Sequence, residues 1–343
     1  MSLESTILEC IRTDLDEETF NQAALELMRY QAKKNLVYRS FIHSSGLDPV
    51  DIFHWTQIPA LPATAFREGR VASFPPVAIA HTFYTSGTTD ETTGRHEFQT
   101  MEHYEKSLLT GFVNALPDVS HHHWVSLIPS FEDRSHASLS YMITFLASHL
   151  ARHEVDFLCD EHFDFKPELI FEHLLEVSCG TSPIFLLGTS FAFARLFESM
   201  MECRVQAALP PNTVVFDTGG YKGHSKEYSR QEFKDLMQET LAIRPHQIWN
   251  EYGMTELSSQ AYAQLDEELH RFPAWTRCVV RNPLTREICG PGEQGIVEVI
   301  DLANVGSVLA VSTSDAGIPH RRGLELVGRM PTESLRGCSL SYE

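Results

Sequence analysis

The sequence predicts an α/β protein with mostly parallel sheets flanked by helices, plus a small antiparallel β unit. Between residues 124 and 242, short apolar segments alternate with amphipathic segments of helical length, which is typical of parallel strands joined by crossover helices. After residue 272, short strand-like segments are separated by turns that contain Gly and Pro, which predicts antiparallel pairing. Four segments are expected: a helical lead-in and connector (1–75), an α/β core (76–270), an antiparallel β unit (271–330) and a C-terminal tail (331–343).

The first segment is predicted to be helical and then irregular. Residues 3–41 carry apolar side chains at spacings of three and four, which indicates amphipathic helices. Residues 55–67 include Pro59 and Pro62 and are expected to form an ordered connector, because proline lacks an N–H donor and restricts φ. The apolar run 77–83 is interpreted as a buried strand that ends in a polar loop.

The rest of the chain supplies the alternating elements. Helices are predicted over 102–116, 138–149, 190–201 and 230–242, and strands over 124–129, 183–187, 213–216, 276–280, 287–289 and 295–300. In sheets of this kind, ligands bind beyond the carboxyl ends of the parallel strands. Loops at those ends are therefore the expected location of a site.

Composition disfavours some partners. The 46 acidic residues exceed the 27 Lys and Arg residues, which gives a formal charge of −19 and repels nucleic acid and anionic membrane surfaces. The seven cysteines include no CxxC pair, so neither a disulfide framework nor a zinc ribbon is indicated. The first twenty residues are acidic where a signal peptide is basic, and no apolar run reaches the ~20 residues that span a bilayer. We expect no nucleic-acid partner, no membrane span and a cytoplasmic location.

A polar loop follows the 77–83 run and indicates phosphate binding. It places four hydroxyl side chains around one glycine: Thr85, Ser86, Gly87, Thr88 and Thr89. Glycine lets backbone N–H groups approach an anion, and the hydroxyls add uncharged donors. An ordinary helix-capping turn is the alternative for this loop taken alone.

A second motif lies far downstream, at residues 250–256. It provides the hydroxyl of Thr255 and the carboxylate of Glu256 after a turn at Gly253. A hard oxygen ligand beside a phosphate donor favours Mg²⁺, so the two motifs together indicate ATP chemistry. The structural alternative is a helix N-cap at Thr255 followed by a first-turn acid at Glu256.

Five motifs in order resemble those of the adenylate-forming enzymes, and most of all the LuxE-type acyl-protein synthetases. They lie at residues 85–89, 216–220, 250–256, 313–315 and 328–329, and segments 126–130, 138–142 and 336–340 add to the resemblance. The resemblance covers roughly residue 55 to the end. It implies the large-domain fold of adenylate-forming enzymes without the full mobile C-terminal domain.

The resemblance also implies individual roles. The loop from Thr85 to Thr89 would hold the β- and γ-phosphates of ATP. Gly219 and Gly220 would lie against adenine, and Tyr252 would pack on its other face. Gly253 would also belong to the nucleotide site. Thr255 would bind the α-phosphate and Glu256 the Mg²⁺ ion.

The nucleoside and the acyl acceptor complete the implied site. Asp315 would accept hydrogen bonds from the ribose hydroxyls, and Arg329 would contact the nucleotide. The implied reaction activates a carboxylic acid, of the fatty type, to an acyl-adenylate and then transfers the acyl group to a cysteine. Cys338 is the candidate acceptor, since a cation at Arg336 would favour its thiolate. A reductase, an acyltransferase or a carrier protein is the expected partner.

Two departures from the family pattern keep other functions open. Asp90 and Glu91 follow the phosphate loop where a cation is usual, and the C-terminal catalytic lysine of larger relatives has no counterpart. A catalytically inactive nucleotide-binding protein is therefore one alternative, and transfer to coenzyme A or carrier-protein pantetheine is another. A serine hydrolase that uses Ser190 is a third, because residues 188–192 resemble a nucleophile elbow with its last glycine replaced.

Three further features are interpreted as structural rather than functional. Asp315 taken alone would be a turn aspartate. His121, His122 and His123 are interpreted as a solvated loop rather than a metal site, because consecutive residues do not share a face. The six cysteines other than Cys338 are expected to be small buried side chains.

Overall fold

The computed structural model describes residues 2–85, 93–160, 166–178, 182–218 and 227–330. These residues fold as two compact units. The first draws on Met1–Gly111, Met254–Ala261 and Leu269–Glu343, and the second on Phe112–Gly253 and Tyr262–Glu268. One boundary between the units falls inside the 250–256 motif, between Gly253 and Met254.

The described residues confirm the α/β class. The helices are α1 (Leu3–Cys10), α2 (Glu17–Lys34), α3 (Leu36–Ser44), α4 (Ala65–Glu68), α5 (Glu102–Ala115), α6 (Ser138–Leu150), α7 (Pro167–Ser178), α8 (Ser190–Cys203) and α9 (Arg230–Leu241). The strands are β1 (Leu61–Pro62), β2 (His81–Tyr84), β3 (Arg95–Phe98), β4 (His123–Ser126), β5 (Asp156–Phe157), β6 (Ile184–Thr189), β7 (Val214–Thr218), β8 (Ile248–Tyr252), β9 (Ala261–Gln264), β10 (Thr276–Arg281), β11 (Gly295–Asp301), β12 (Ala310–His320) and β13 (Gly323–Arg329).

The N-terminal helices of the first unit form where capping side chains occur in the sequence. The Asp16 carboxylate accepts the Thr19 N–H at 2.8 Å and begins α2. The Asn35 side chain begins α3 by accepting the Tyr38 N–H, and also donates to the Ser307 carbonyl. Gln31 of α2 donates to the carbonyls of Asn304 and Val305. These buried amides fix residues 304–309, which lead into β12.

Two sheets lie in the first unit. One has the order β1-β12-β11-β10, with β13 also paired to β12, and all its pairings are antiparallel except that of β1. The other is the antiparallel pair β2-β3. The predicted antiparallel unit is therefore present. Residues 287–289 are not a strand as predicted, since Ile288 makes only an isolated bridge to Arg281.

The predicted buried strand 77–83 is wrong over its first half. Residues Pro76–Ala78 form a 3₁₀ turn, and Val77 is 93% exposed. Pro76 occupies the first position of this turn, where its missing N–H donor costs nothing, and the register with β3 begins at His81. The strand β2 then pairs antiparallel with β3, which makes the polar loop a hairpin connection.

The second unit is a six-stranded sheet of order β5-β4-β6-β7-β8-β9, in which β4 to β8 pair parallel. Helices α7, α8 and α9 pack on it through a buried apolar cluster that includes Phe193, Phe197 and Phe233. Full burial of one such side chain contributes about 1.5–3 kcal/mol to folding. The alternation of strand and helix over 124–242 therefore predicted this sheet correctly.

Candidate active site

The ends of the polar loop meet in the first unit. The Thr85 N–H donates to the Gly94 carbonyl at 2.8 Å, and the Gly94 N–H donates to the Thr85 hydroxyl at 2.9 Å. These two hydrogen bonds join the two ends of the loop. They do not use the hydroxyl hydrogen of Thr85. A Cβ on Gly94 would lie about 3.0 Å from side-chain atoms of both Thr85 and Arg67. Ser86, Gly87, Thr88 and Thr89 lie outside the described residues.

A cavity of about 400 Å³ adjoins this loop base. Its lining consists of Phe66, Arg67, Glu68, Gly69, Tyr84, Thr93 and Arg95. Arg95 begins β3 directly after the loop, and its Nε lies 3.6 Å from Glu97 Oε1. Two guanidinium groups in one cavity suit a multiply charged anion. Sequence reasoning missed Arg67, because a single arginine in a proline-marked connector carries no signal of its own.

Thr255 and Glu256 lie in a tight turn in which the Leu257 N–H donates to the Met254 carbonyl. The helix-cap interpretation of this pair is therefore wrong. Imidazole Nδ1 of His96 lies 2.7 Å from the Thr255 carbonyl, and the Asn304 side chain donates to the Glu256 carbonyl at 2.9 Å. Both backbone carbonyls of the turn are thus held by buried side chains.

The residues after the turn are anchored by Asp301. Its carboxylate accepts the N–H groups of Ser258 and Ser259 at 3.0 and 2.8 Å, and the hydroxyl of Ser259 at 2.6 Å. Burial raises the pKa of Asp301, and these donors oppose the rise because they stabilise its charged form. Backbone position at the turn is therefore determined by contacts far along the chain.

Glu256 is a buried carboxylate among charged neighbours. Burial raises the pKa of Glu256 to about 7, and the positive charges of Arg67 and Arg329 oppose the rise while Asp315 adds to it. A desolvated carboxylate with a second carboxylate nearby is stabilised by a divalent cation. The oxygen donors at this turn suit Mg²⁺, so the residues present fit the ion that the motif predicts.

Asp315 and Arg329 face each other across β12 and β13. Their Cα atoms are register partners, and Arg329 Nε lies 3.8 Å from Asp315 Oδ1. Asp315 lies within an eleven-residue strand, so the interpretation of this residue alone as a turn aspartate is wrong. Gly328 precedes Arg329 with φ of 137°, where a β-carbon would be strained, beside the register shift between Ala316 and Gly317. The structure thus brings Glu256, Asp315 and Arg329 into one electrostatic group.

A second polar group lies at the carboxyl ends of β7 and β8, in the second unit. Asn250 donates to Asp217 Oδ2 at 2.7 Å, and the Thr218 hydroxyl donates to Glu251. Burial raises the pKa values of Asp217 and Glu251 to about 7. Tyr252 ends β8 at this edge, the location that ligands favour in parallel sheets. Gly219 and Gly220, predicted to contact adenine, lie outside the described residues.

Ser190 belongs to the same buried network. Its hydroxyl donates to Asp217 Oδ1 at 2.9 Å, and Thr189 caps α8 by accepting the Ala192 N–H. The serine hydrogen therefore points to a carboxylate rather than to a histidine base, which disfavours the hydrolase alternative. Phe193, three residues later in α8, is fully buried in the apolar cluster.

The cysteines and histidines differ in part from expectation. Cys10, Cys159 and Cys289 are buried as predicted, but Cys203 is exposed at the end of α8. Cys338 lies outside the described residues. The interpretation of residues 121–123 as a solvated loop is wrong in part, because His122 is buried against the Asn212 carbonyl and His123 begins β4.

Solved structures show which fold this chain has. 2-Hydroxyisobutyryl-CoA ligase in the postadenylation state, with 2-HIB-AMP, has a TM-score of 0.68 at 15% identity, over 92% of this chain and 68% of that chain. The same ligase in an open conformation, with 2-HIB-AMP and CoA, gives 0.66 at 15% identity, over 93% and 76%. ATP-bound MatB from Rhodopseudomonas palustris gives 0.55 at 16% identity, over 76% and 49%. The chain has the fold of the adenylate-forming ligases.

A comparison with protein-family models identifies the family of this chain. The family model for acyl-protein synthetase, LuxE, matches residues 3–343, so the chain belongs to that family. This confirms the resemblance of the motifs. The chain spans about half the length of MatB (49%). No curated protein matches it in sequence. Within the described residues, no helix is both long enough and apolar enough to cross a membrane.

Proposed function

We propose that this protein activates a carboxylic acid, of the fatty acid class, with ATP and Mg²⁺ to an acyl-adenylate, and then transfers the acyl group to a protein cysteine. Family membership supports the overall reaction. The single observation that carries the proposal is the group formed by Glu256, Asp315, Arg67 and Arg329 in the first unit. It combines an acidic site for a metal with cations for phosphate.

In the first step, a carboxylate oxygen of the acid attacks the α-phosphorus of ATP and pyrophosphate leaves. Thr85 and the loop to Thr89 hold the β- and γ-phosphates, with Arg67 and Arg95 beside the loop base. Thr255 donates to the α-phosphate, where charge develops. The rigid carbonyl anchors of the turn keep this donor in position, which is the main requirement of such a displacement.

Glu256 is the proposed ligand of the Mg²⁺ ion, which would neutralise phosphate charge when bound. Asp315 accepts the ribose hydroxyls, and Arg329, whose side chain is 83% exposed, contacts the nucleotide. The adenine would lie against Gly219 and Gly220, with Tyr252 on its other face and Gly253 also at the nucleotide.

In the second step, the thiolate of a cysteine attacks the acyl carbonyl, a thioester bond forms and AMP leaves with the bonding electrons. Cys338 of the same chain is the proposed acceptor. A reductase, an acyltransferase or a carrier protein would then receive the acyl group. The cytoplasm is the proposed compartment, supported by the free thiols of the five described cysteines.

Two measurements test this function. Pyrophosphate release is measured with ATP, Mg²⁺ and a panel of carboxylic acids; release that depends on the acid is expected, and a lack of it with every acid contradicts adenylation. The intact mass of the chain is then measured after incubation with ATP and the active acid. One acyl adduct is expected on the natural chain, and none on Cys338→Ala.

Cys203→Ala is the matched control, because Cys203 is an exposed thiol on a described helix. It should acylate as the natural chain does. An adduct that persists in Cys338→Ala and disappears in Cys203→Ala would show that Cys203, and not Cys338, is the acceptor. If neither the natural chain nor Cys203→Ala carries an adduct, and acyl-CoA forms when CoA is added, the CoA-ligase alternative is favoured. That alternative is a specific competitor, because the chain shares its fold with 2-hydroxyisobutyryl-CoA ligase in complex with 2-HIB-AMP and CoA.

A further inference from the structure

Three side chains converge in the second unit, apart from the proposed adenylation residues. Nε2 of His123 lies 2.5 Å from Asp156 Oδ2, and Nε2 of His173 lies 2.8 Å from the same oxygen. The three ligand atoms lie within 4.8 Å of one another. Each side chain is between a quarter and a third exposed. Solvent can therefore reach these three side chains, although most of the surface of each is buried.

Secondary structure accounts for this convergence. Val125 of β4 is the register partner of Asp156 in β5, and side chains alternate along a strand. His123 and Asp156 therefore share the sheet face of Val125. Helix α7 covers that face through Ile170 and Leu174, which pack in the same buried cluster as Val125. His173 precedes Leu174 and so lies at the margin of that contact, beside the two strand residues.

We propose that His123, Asp156 and His173 form a binding site for a divalent transition metal ion, with Zn²⁺ as the best match. Two imidazole nitrogens and one carboxylate oxygen suit zinc, whereas Mg²⁺ and Ca²⁺ prefer oxygen ligands alone. Three protein ligands leave a fourth tetrahedral position, which water can fill from the exposed side. The net ligand charge of −1, with both imidazoles neutral, partly offsets the charge of the ion.

The separations are compatible with metal entry after a small adjustment. Ligands at ~2.0–2.2 Å from a tetrahedral zinc ion lie roughly 3.3 Å apart. The two N–O separations of 2.5 and 2.8 Å are below this value. The separations must lengthen by about 0.8 Å for His123 and about 0.5 Å for His173, and rotation of these partly exposed side chains can supply both changes. Each imidazole would also move its hydrogen to Nδ1, which frees the Nε2 lone pair for the metal.

The site would have a structural role and would stabilise the fold when an ion is bound. Strand β5 contributes only two residues, Asp156 and Phe157, to the edge of the sheet. A bound ion would tie this short strand to β4 and to α7. Because an ion that binds only the folded chain stabilises it by mass action, zinc should raise the melting temperature. This stabilisation does not depend on the proposed adenylation activity.

The test uses the full chain, stripped of metal by a chelator and kept free of nucleotide. Zinc affinity is measured by competition with a chromophoric chelator, and Co²⁺ absorption reports the geometry of the site. We expect one saturable equivalent per chain, a tetrahedral cobalt spectrum and a higher melting temperature with zinc. His173→Gln keeps a donor for Asp156 but should weaken zinc binding by about 100-fold or more, since even indirect partners of a metal change its affinity 10- to 100-fold.

Asp156→Asn is the second variant, in case His173→Gln does not fold, and should lose binding in the same way. His320→Gln is the matched control, because His320 Nε2 contacts one carboxylate, Glu325, at 2.8 Å and this pair belongs to no three-ligand group among the described residues. It should bind zinc like the natural chain. The proposal is overturned if the natural chain takes up no saturable equivalent, if both variants retain its affinity, or if His320→Gln alone loses it.

Discussion

The imidazole of His96 connects the strand after the polar loop to the turn of Thr255. Nδ1 lies 2.7 Å from the Thr255 carbonyl, and Nε2 lies 2.9 Å from the Ser307 hydroxyl. A carbonyl oxygen only accepts, so Nδ1 carries the hydrogen. Burial lowers the pKa of His96 to about 4, so the ring is neutral near pH 7 and Nε2 accepts from Ser307. The Nδ1–H tautomer of His96 thus positions Thr255, the residue proposed to bind the α-phosphate.

Substitution of His96 tests this positioning. His96→Ala leaves the Thr255 carbonyl without its donor, at a cost of about 1–3 kcal/mol in the free energy of unfolding. Small displacements of reacting groups are costly, so acid-dependent pyrophosphate release should fall by about 10- to 100-fold. His96→Asn can donate from nearly the same position as Nδ1 and should recover part of the rate. Equal rates for the natural chain and His96→Ala would show that the contact does not position Thr255.

The same histidine predicts a pH dependence of stability. Its pKa is about 4 when folded, against an ordinary value of 6.5, so between these values the unfolded chain binds the extra proton. Stability should therefore fall as the pH drops from about 6.5 to about 4. Urea unfolding at several pH values, compared between the natural chain and His96→Asn, isolates this contribution. The variant should lose less stability over that window, and parallel curves would contradict the low pKa.

Glu256→Gln tests the proposed metal ligand. The amide keeps the shape of the side chain but removes its charge, so the Mg²⁺ concentration for half-maximal pyrophosphate release should rise and the rate should fall by about 100-fold or more. Glu287→Gln, at an exposed position, is the control and should behave like the natural chain. A variant with unchanged Mg²⁺ dependence would remove Glu256 from the role.

Asp315→Ala tests ribose recognition. Hydrogen bonds to a charged group contribute about 1.5–3 kcal/mol, so the KM for ATP should rise by about 10- to 100-fold with a smaller change in kcat. The natural chain should use 2′-deoxy-ATP poorly, whereas Asp315→Ala should distinguish little between the two nucleotides. Retention of full discrimination by the variant would assign ribose binding to another residue.

Asp217→Asn tests the buried network of the second unit. Burial raises the pKa of Asp217 to about 7, from an ordinary 3.8, so the folded chain holds a proton that the unfolded chain releases. This carboxyl therefore lowers stability as the pH rises from about 4 to about 7. The stability of the variant relative to the natural chain should therefore increase as the pH rises from about 4 to about 7, as measured by urea unfolding. Asp14→Asn, at an exposed position, is the control and should show no such gain.

Much of the fold could be predicted from sequence because its signals are local. The 190–201 and 230–242 segments were predicted as helices, and they form α8 and α9 with small changes at their ends. The first half of the 77–83 run was predicted wrongly, since two adjacent prolines outweighed its apolar character. The strand position of Asp315 was also missed, because a short Ser-Asp-Ala-Gly sequence is equally typical of a turn.

The proposed site was only partly predictable. The motifs led to Thr255, Glu256 and Asp315, but not to Arg67 or His96, which lack any recognisable spacing. The His123 cluster was missed for the same reason. Its partners are 33 and 50 residues away along the chain (156 − 123 and 173 − 123), and no periodicity links a strand residue to a distant helix.

The sequence alone determined the class of fold and the family, and it suggested the chemistry of the motifs, because hydrophobic periodicity and short motifs are properties of neighbouring residues. Only the tertiary structure decided which charges surround Glu256, which tautomer His96 adopts and which side chains meet Asp156. Those features depend on burial and on distances between remote segments, and both arise only when the chain is packed.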